Sequence, residues 1–167
     1  MSKLFNLVDD RLDGLSKLIT EDMERDGDSG LIGDSEYLHG IGFTAGQRYI
    51  TSACGWLKVS KKFKPQALSF GPVLPNGAAY ASVVNAAANY WKHSDEWDFD
   101  RLSDQQRCTR KIIESVGVSI SGPEEFVTGS VFYKTGLKKF SGLIPLLEDW
   151  SRVLLQEMVL TRPEADN

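Results

Sequence analysis

Apolar residues recur at intervals of three and four near both ends of this sequence, and that spacing constrains the fold most strongly. The first series comprises Leu4, Val8, Leu12, Leu15, Leu18 and Ile19. The last series comprises Leu146, Leu147, Trp150, Val153, Leu154 and Met158. Each series lies on one face of an α-helix, and such a face must be buried against another element. The chain is therefore predicted to be all-α, a bundle in which helices pack on helices.

About five helices account for the periodic segments, and a long loop precedes the central one. A second helix is predicted over residues 35–58, the central helix over 78–93 and the last helix over 143–160. The apolar stripe of the second helix is Ile41, Ala45, Tyr49 and Ile50. Its opposite side carries Gln47 and Arg48. The polar side of the first helix carries Asp9, Asp10, Asp13 and Lys17.

Local capping signals delimit a further helix between the central and last ones. Ser103 with Gln106 three residues later forms a capping-box sequence, and Gly117 suits the end of that helix. The predicted buried stripe comprises Cys108, Ile112, Ile113 and Val116. Because Cys54 and Cys108 lie far apart and form no paired motif, we expect two small, reduced core residues rather than a disulfide.

Residues 21–33 and 60–77 are predicted to be loops. The first segment is acidic and glycine-rich, and its acidic run lacks the alternating ligand order of a calcium-binding loop. The second contains prolines and glycines that exclude a regular helix, and its length suggests a functional or partner-contacting loop. A basic cluster lies at its start and is either a solvated surface or part of that contact: Lys58, Lys61, Lys62 and Lys64.

Residues 117–142 have a mixed pattern that leaves two interpretations open. The segment forms either a short strand or hairpin, or a loop that contacts a partner. The apolar residues on which the first interpretation depends are Val118, Ile120, Val127, Val131 and Phe132.

Length and composition limit the functional classes. With 167 residues, 41% of them hydrophobic, the chain suits one helical domain over residues 1–162 and a polar tail over 163–167. A formal net charge of −4 argues against a broad, non-specific nucleic-acid binder and is compatible with a local basic patch. No segment has the pattern of a signal sequence or of a membrane span, so we expect a cytoplasmic protein without membrane contact.

Metal and cofactor chemistry lacks a complete set of residues. Glu36 and His39 have the Glu-x-x-His spacing of a di-iron ligand pair, but such a site needs a second copy and two further Glu residues. His93 precedes Glu96 in the reverse order, and neither cysteine is near a histidine or another cysteine in sequence. The chain also lacks a glycine-rich phosphate loop and a Gly-x-Ser-x-Gly elbow. We therefore expect neither a metal nor another cofactor.

The central helix concentrates the potential chemistry of the chain. Its polar face carries, at helical spacing, Asn85, Asn89, Lys92 and His93. Its core face carries Val83, Val84, Ala87 and Trp91. A histidine near a helix C-terminus often only complements the helix dipole, and asparagines often only satisfy neighbouring groups. The alternative is a site in which two amides, an ammonium and an imidazole act together.

The segment Asn89-x-x-x-His93 resembles part of the motif of HEPN-domain proteins. That motif is an Arg, four to six further residues and a His, usually with a polar residue directly after the Arg. Here Asn89 and His93 match the polar position and the His, and the permitted Arg positions carry Ala86, Ala87 and Ala88. The family is an all-α bundle, often dimeric, and many members are metal-independent ribonucleases of toxin–antitoxin, CRISPR and anti-phage systems.

The resemblance implies an RNA-cleaving or RNA-binding component of a prokaryotic defence or toxin system. His93 would be the acid or base, Asn89 would orient it or the phosphate, and Lys92, Arg48 and Asn85 would contact RNA. A homodimer is expected around His93, packed through small residues at positions 86–88 and 42–46. The alternative is a catalytically inactive helical module that works by protein–protein contacts with a partner protein.

Overall fold

The computed structural model describes residues 1–23, 30–121 and 126–160 of the chain. These residues form seven α-helices and two short 3₁₀ helices, and their one β-type pairing is a single bridge between Val73 and Ala79. The α-helices are α1 Ser2–Met23, α2 Leu31–Trp56, α3 Lys64–Leu68, α4 Tyr80–His93, α5 Asp104–Ser115, α6 Val127–Lys134 and α7 Leu143–Leu160. The 3₁₀ helices are Ser94–Glu96 and Phe140–Gly142. The predicted all-α bundle is confirmed, with two more helices than expected.

Helix α2 contacts α1, α4, α6 and α7, so it is the centre of the bundle. It runs antiparallel to α4, because Tyr37 near its start contacts Trp91 near the end of α4, while Gly46 further along contacts Val84. A Cβ atom on Gly46 would lie 2.9 Å from Cγ1 of Val84. Only glycine lets the two backbones approach this closely, and that approach positions the polar residues described below.

An aromatic cluster around Phe140 forms the core between α1, α2 and α6. The ring of Phe140 lies 4.4 Å from that of Phe132, 5.3 Å from Phe43 and 6.1 Å from Phe5, measured between centroids. A Cβ atom on Gly42 would lie 2.6 Å from this ring, so α2 also needs glycine here. Ring pairs at such distances add stabilisation beyond the burial of their surface.

Two carboxylates cap helix starts that are distant in sequence. Asp9 of α1 accepts hydrogen bonds from the backbone N–H groups of Phe140, at 2.6 Å, and Ser141, at 3.0 Å. Glu36 of α2 accepts from those at the start of α6, Thr128 at 2.7 Å and Gly129 at 2.9 Å. Each carboxylate satisfies N–H groups that a helix start otherwise leaves without a partner, and each complements the positive end of the helix dipole.

These caps correct one interpretation of the sequence and account for the roles of a second pair of residues. The sequence pattern puts Asp9 on the polar side of α1, yet it is buried because its carboxylate is needed at the start of the Phe140–Gly142 turn. Glu36 and His39 do not act as a ligand pair, because both oxygens of Glu36 bind α6. The imidazole of His39 is enclosed by aromatic rings.

Three predicted elements differ in the structure. The connection over residues 60–77 contains the short helix α3, because Pro65 stands in its first turn, where a missing N–H costs nothing. Residues 127–134 form helix α6 rather than a strand or loop, since Glu36 caps its start from another helix. Helix α1 extends past residue 21 and α2 begins at residue 31, and residues 24–29 of the predicted acidic loop lie outside the described residues.

Several residues lie on a different face from the predicted one. Cys54 is buried and free as expected, whereas Cys108 is free but exposed, because Ile113 and Val116 supply the buried side of α5. Ile41 is exposed and Gln47 is buried, so the stripe of α2 is rotated from the predicted one. The buried residues of α2 that define it are His39, Phe43, Gly46, Gln47, Ile50 and Cys54.

Elements defined by local signals are confirmed. The capping box of Ser103 and Gln106 is present, Gly117 adopts φ of +82° directly after the C-cap of α5, and α7 has the predicted bounds. The polar tail over 163–167 lies outside the described residues. Within the described residues, no helix combines the length and apolar character needed to cross a membrane.

Gly42→Ala is expected to destabilise the protein by about 1–3 kcal/mol, because the new methyl group must displace the buried ring of Phe140. Gly55→Ala on the same helix meets no atom within 4 Å. It should stabilise the protein by about 0.5–1 kcal/mol, because alanine loses less conformational freedom in a helix. Urea unfolding of both variants measures the difference, and equal effects would contradict the close approach at Gly42.

Acidification is expected to destabilise the protein through His39. Its Nδ1–H donates to the Ser35 carbonyl at 2.7 Å, but burial lowers the pKa of the imidazole below its ordinary value of 6.5 more than this bond raises it. The folded state therefore favours neutral His39, and its contribution is complete above pH 6.5 and is lost as the pH falls below that value.

The test compares urea midpoints at about pH 7.5 and about pH 5.5, within the range where histidines titrate. His39→Leu should reduce the loss of stability, whereas His93→Gln should keep it, and the chain has only these two histidines. A His39→Leu protein with undiminished acid sensitivity would show that other groups cause the effect.

Candidate functional site

Helix α4 has a core side and a polar side. Ala86, Ala87 and Ala88 are buried to 1% exposure or less. Asn85 and Asn89 are half-buried on the polar side, and Lys92 and His93 are exposed at its C-terminal end. The polar face predicted from helical spacing is therefore present.

Gln47 of α2 joins this face to the neighbouring helix. Its amide nitrogen donates to the side-chain oxygen of Asn89 at 2.7 Å and to that of Asn85 at 3.1 Å. The ammonium of Lys92 donates to the Gln47 amide oxygen at 2.6 Å. The structure thus brings three of the predicted site residues together around a residue that the sequence pattern puts on the wrong side of α2.

Lys92 fixes the orientation of every amide in this network. An ammonium can only donate, so the atom of Gln47 that it contacts must be the oxygen. The nitrogen of Gln47 then faces the two asparagines, whose contacting atoms must be their oxygens. The amide nitrogen of Asn89 points away from Gln47 and, within the described residues, donates no hydrogen bond.

Positive charge at this site is not neutralised. Partial burial lowers the pKa of Lys92, and the positive charge of Lys64 at the start of α3 lowers it further. In the part of the chain that the structure describes, neither lysine forms an ion pair with a carboxylate. Lys64 belongs to the basic cluster noted in the sequence, and only the tertiary structure places it near Lys92.

His93 and Asn89 line one cavity, and no hydrogen bond joins them in the part of the chain that the structure describes. The cavity, about 270 Å³ in volume, lies between the end of α4 and the start of α5. The His93 side chain is 50% exposed, and its Nδ1 lies 3.4 Å from Oε1 of Glu96. Since Asn89 gives its oxygen to Gln47, Glu96 rather than Asn89 is the residue that holds the imidazole.

Arg48 is not part of this cluster. It is exposed and lines a separate, largely apolar cavity of about 590 Å³. That cavity is formed with residues of α1, α2 and α4 that include Leu4, Ile41, Tyr49 and Trp91. Lys64 therefore replaces Arg48 as the second cation near Lys92.

Gln47 is the residue of this hydrogen-bond network that the sequence pattern does not point to. The spacing His39, Phe43, Gln47, Ile50 and Cys54 is helical, and all five are buried. This series, unlike the stripe through Ile41, puts Gln47 on the inner side of α2.

The three positions that would carry the motif Arg lie in the core, and the methyl group of each alanine does not reach the polar face.

No protein-family model, curated protein or solved structure matches the chain. Within the described residues, no group of three or more His, Cys, Asp or Glu side chains could hold a metal ion.

Gln47→Ala is expected to lower the free energy of unfolding by about 1–3 kcal/mol, because half-buried oxygens of Asn85 and Asn89 lose their donor. Gln156→Ala makes the same change on the exposed side of α7 and should alter stability by less than about 0.5 kcal/mol. Urea unfolding compares the two variants. If both proteins unfold alike, the network contributes nothing to the fold.

Proposed function

We propose that this domain binds RNA through the polar face of α4, as a HEPN-like component of a prokaryotic defence or toxin–antitoxin type system. The observation that carries the proposal is the pair of lysines without a carboxylate partner, Lys92 and Lys64, beside a row of oriented amides. Phosphate groups supply the negative charge and the acceptor oxygens that such a set of donors binds.

The electrostatics of the unliganded site favour an anion. The positive charge of Lys64 helps to lower the pKa of Lys92, and a phosphate near both lysines removes that repulsion. The Lys92 ammonium uses one of its three hydrogens on Gln47, which leaves donors for a ligand. Binding at this site should therefore raise the pKa of Lys92.

The overall charge of the chain confines this binding to a small area. With a net charge of −4, the protein has no general attraction for nucleic acid, so its affinity depends on a few local contacts. Single-stranded RNA is the suitable partner, because its phosphates and unpaired bases are both accessible to a compact site.

Cleavage is the finer part of the proposal, with His93 as the proposed acid or base. Its imidazole is exposed beside Asn89 and is held by Glu96. A histidine changes charge near neutral pH and needs no metal to transfer a proton. Because alanines occupy the motif Arg positions, Lys92 would have to stabilise the developing charge, and a lysine does so without the two-pronged contact of arginine.

The second candidate is a catalytically inactive interaction module. It is favoured by the buried alanines at positions 86–88 and by the internal hydrogen bonds of Gln47. The homodimer expected around His93 would have to use exposed side chains, because Gly42, Gly46 and the alanines pack inside their own chain. On this view Asn89 and His93 contact a partner protein or a second copy.

Lys92→Ala is expected to weaken binding of single-stranded RNA and to reduce the slope of log affinity against log salt by about 0.7, the value for one lost phosphate contact. Lys17→Ala removes the same charge from the exposed side of α1 and should leave both quantities nearly unchanged. Fluorescence anisotropy across a salt series measures them. Equal losses in both variants would show that the effect comes from net charge alone.

His93→Ala is expected to reduce cleavage by about a hundredfold to ten-thousandfold, and the wild-type activity should survive a chelator. Thermal unfolding and light scattering on the same variant separate the two candidates. A stable variant that loses cleavage supports the enzyme. If the wild type binds and cleaves no RNA tested, and the variant is destabilised or changes its oligomeric state, the interaction module is the correct function.

A further inference from the structure

We infer that the cavity between α4 and α5 receives one unstacked base of the bound RNA, and that it selects a base with carbonyl oxygens on its pairing edge, such as uracil. This inference rests on the proposed function and adds base selectivity to it. The cavity residues that carry the inference are Asn89, His93, Trp97, Gln105 and Thr109.

The cavity presents hydrogen-bond donors that have no partner among the residues that the structure describes. The amide nitrogen of Asn89 is directed away from Gln47, because Lys92 orients the chain of amides, and Asn89 lines the cavity. Thr109 also lines it, is only 5% exposed, and its hydroxyl forms no hydrogen bond within the described residues. This oxygen is not among the fully buried unpaired atoms of the described residues, so the hydroxyl is accessible from the cavity and can donate to an acceptor on a ligand.

The remaining walls suit a flat ring. Trp97 is held in place by Tyr90, whose ring lies 5.1 Å away at 88°, and by Phe99 at 6.0 Å. The imidazole of His93, held by Glu96, lines the same cavity and offers a face on which a base can stack. A volume of about 270 Å³ accommodates a pyrimidine.

The cavity lies next to the proposed phosphate contact. Asn89 and Lys92 are three residues apart on one helix, which is a rise of about 4.5 Å along its axis. Lys92 itself lines a second cavity, together with Glu36 and Asp95, and Gln47 forms hydrogen bonds with both Asn89 and Lys92. We therefore expect the base to enter the first cavity and its phosphate to lie at Lys92.

The direction of the donors favours carbonyl-bearing bases. Uracil presents two carbonyl oxygens on its pairing edge, which accept from the Asn89 amide and the Thr109 hydroxyl. Adenine presents only one acceptor there, N1, beside an amino group, so it cannot accept from both donors as uracil can. A paired base has this edge occupied, so the cavity also requires a single strand.

The experiment compares binding of oligouridine and oligoadenosine of equal length by fluorescence anisotropy at fixed salt. The wild type should prefer oligouridine by about fivefold to a hundredfold, as for one well-placed pair of base contacts. Thr109→Val removes the hydroxyl without changing the shape of the side chain, and should lose much of this preference. Asn89→Asp replaces the donor by an acceptor of the same shape and should abolish it.

The matched control is Asn85→Asp, one turn earlier on α4. This substitution adds the same charge, and the new carboxylate could still accept from Gln47, as Asn85 does at 3.1 Å, but residue 85 does not line the cavity. We expect lower affinity for both oligonucleotides and an unchanged ratio between them. Melting temperatures show that each variant is folded, and Thr109→Val decides the question if Asn89→Asp does not fold.

Two negative results have different meanings. If RNA binds with equal affinity for both oligonucleotides, or if the preference survives in Asn89→Asp and Thr109→Val, the cavity does not read a base and the proposed RNA binding stands. If neither oligonucleotide binds the wild type, the proposed function fails and the base site fails with it.

Discussion

Gly46 of α2 lies against Val84 of α4 with no room for a Cβ atom. This contact sets the distance between α2 and α4, on which the site depends. Because the two helices approach so closely, the next residue, Gln47, reaches both Asn85 and Asn89 with one amide group. The three alanines of α4 allow the same close packing on its other sides. A bulky residue at Gly46 would separate the helices and remove Gln47 from its partners.

The polarity of the site follows from one charged group. Lys92 can only donate, and this property passes through Gln47 to the asparagines, so that the asparagine oxygens face Gln47 and the Asn89 amide nitrogen points away from it. With Lys64 nearby and no carboxylate paired to either lysine in the described part of the chain, the whole face is suited to an acceptor-rich anion. The proposed RNA binding and the proposed base selection both depend on this arrangement.

Features that depend on neighbours along the chain follow from the sequence alone. The bounds of α7, the capping box of Ser103 and Gln106, and Gly117 after the end of α5 were all predictable, because their interactions join residues a few positions apart. Helical spacing likewise placed Asn85, Asn89 and Lys92 on one face. The all-α fold follows from such local regularities.

The tertiary structure decided what depends on contacts between distant segments. Glu36 caps the start of the helix over residues 127–134, although it lies 92 positions from Thr128 in sequence. Asp9 is buried because it accepts a hydrogen bond from the backbone N–H of Phe140, 131 positions away. The packing of α2 on α4 brings Gln47 to the asparagines of α4 and leaves Arg48 at a separate cavity. One sequence contains these residues but not the distances between them, since a side chain's role across helices is set by how the helices rotate and approach.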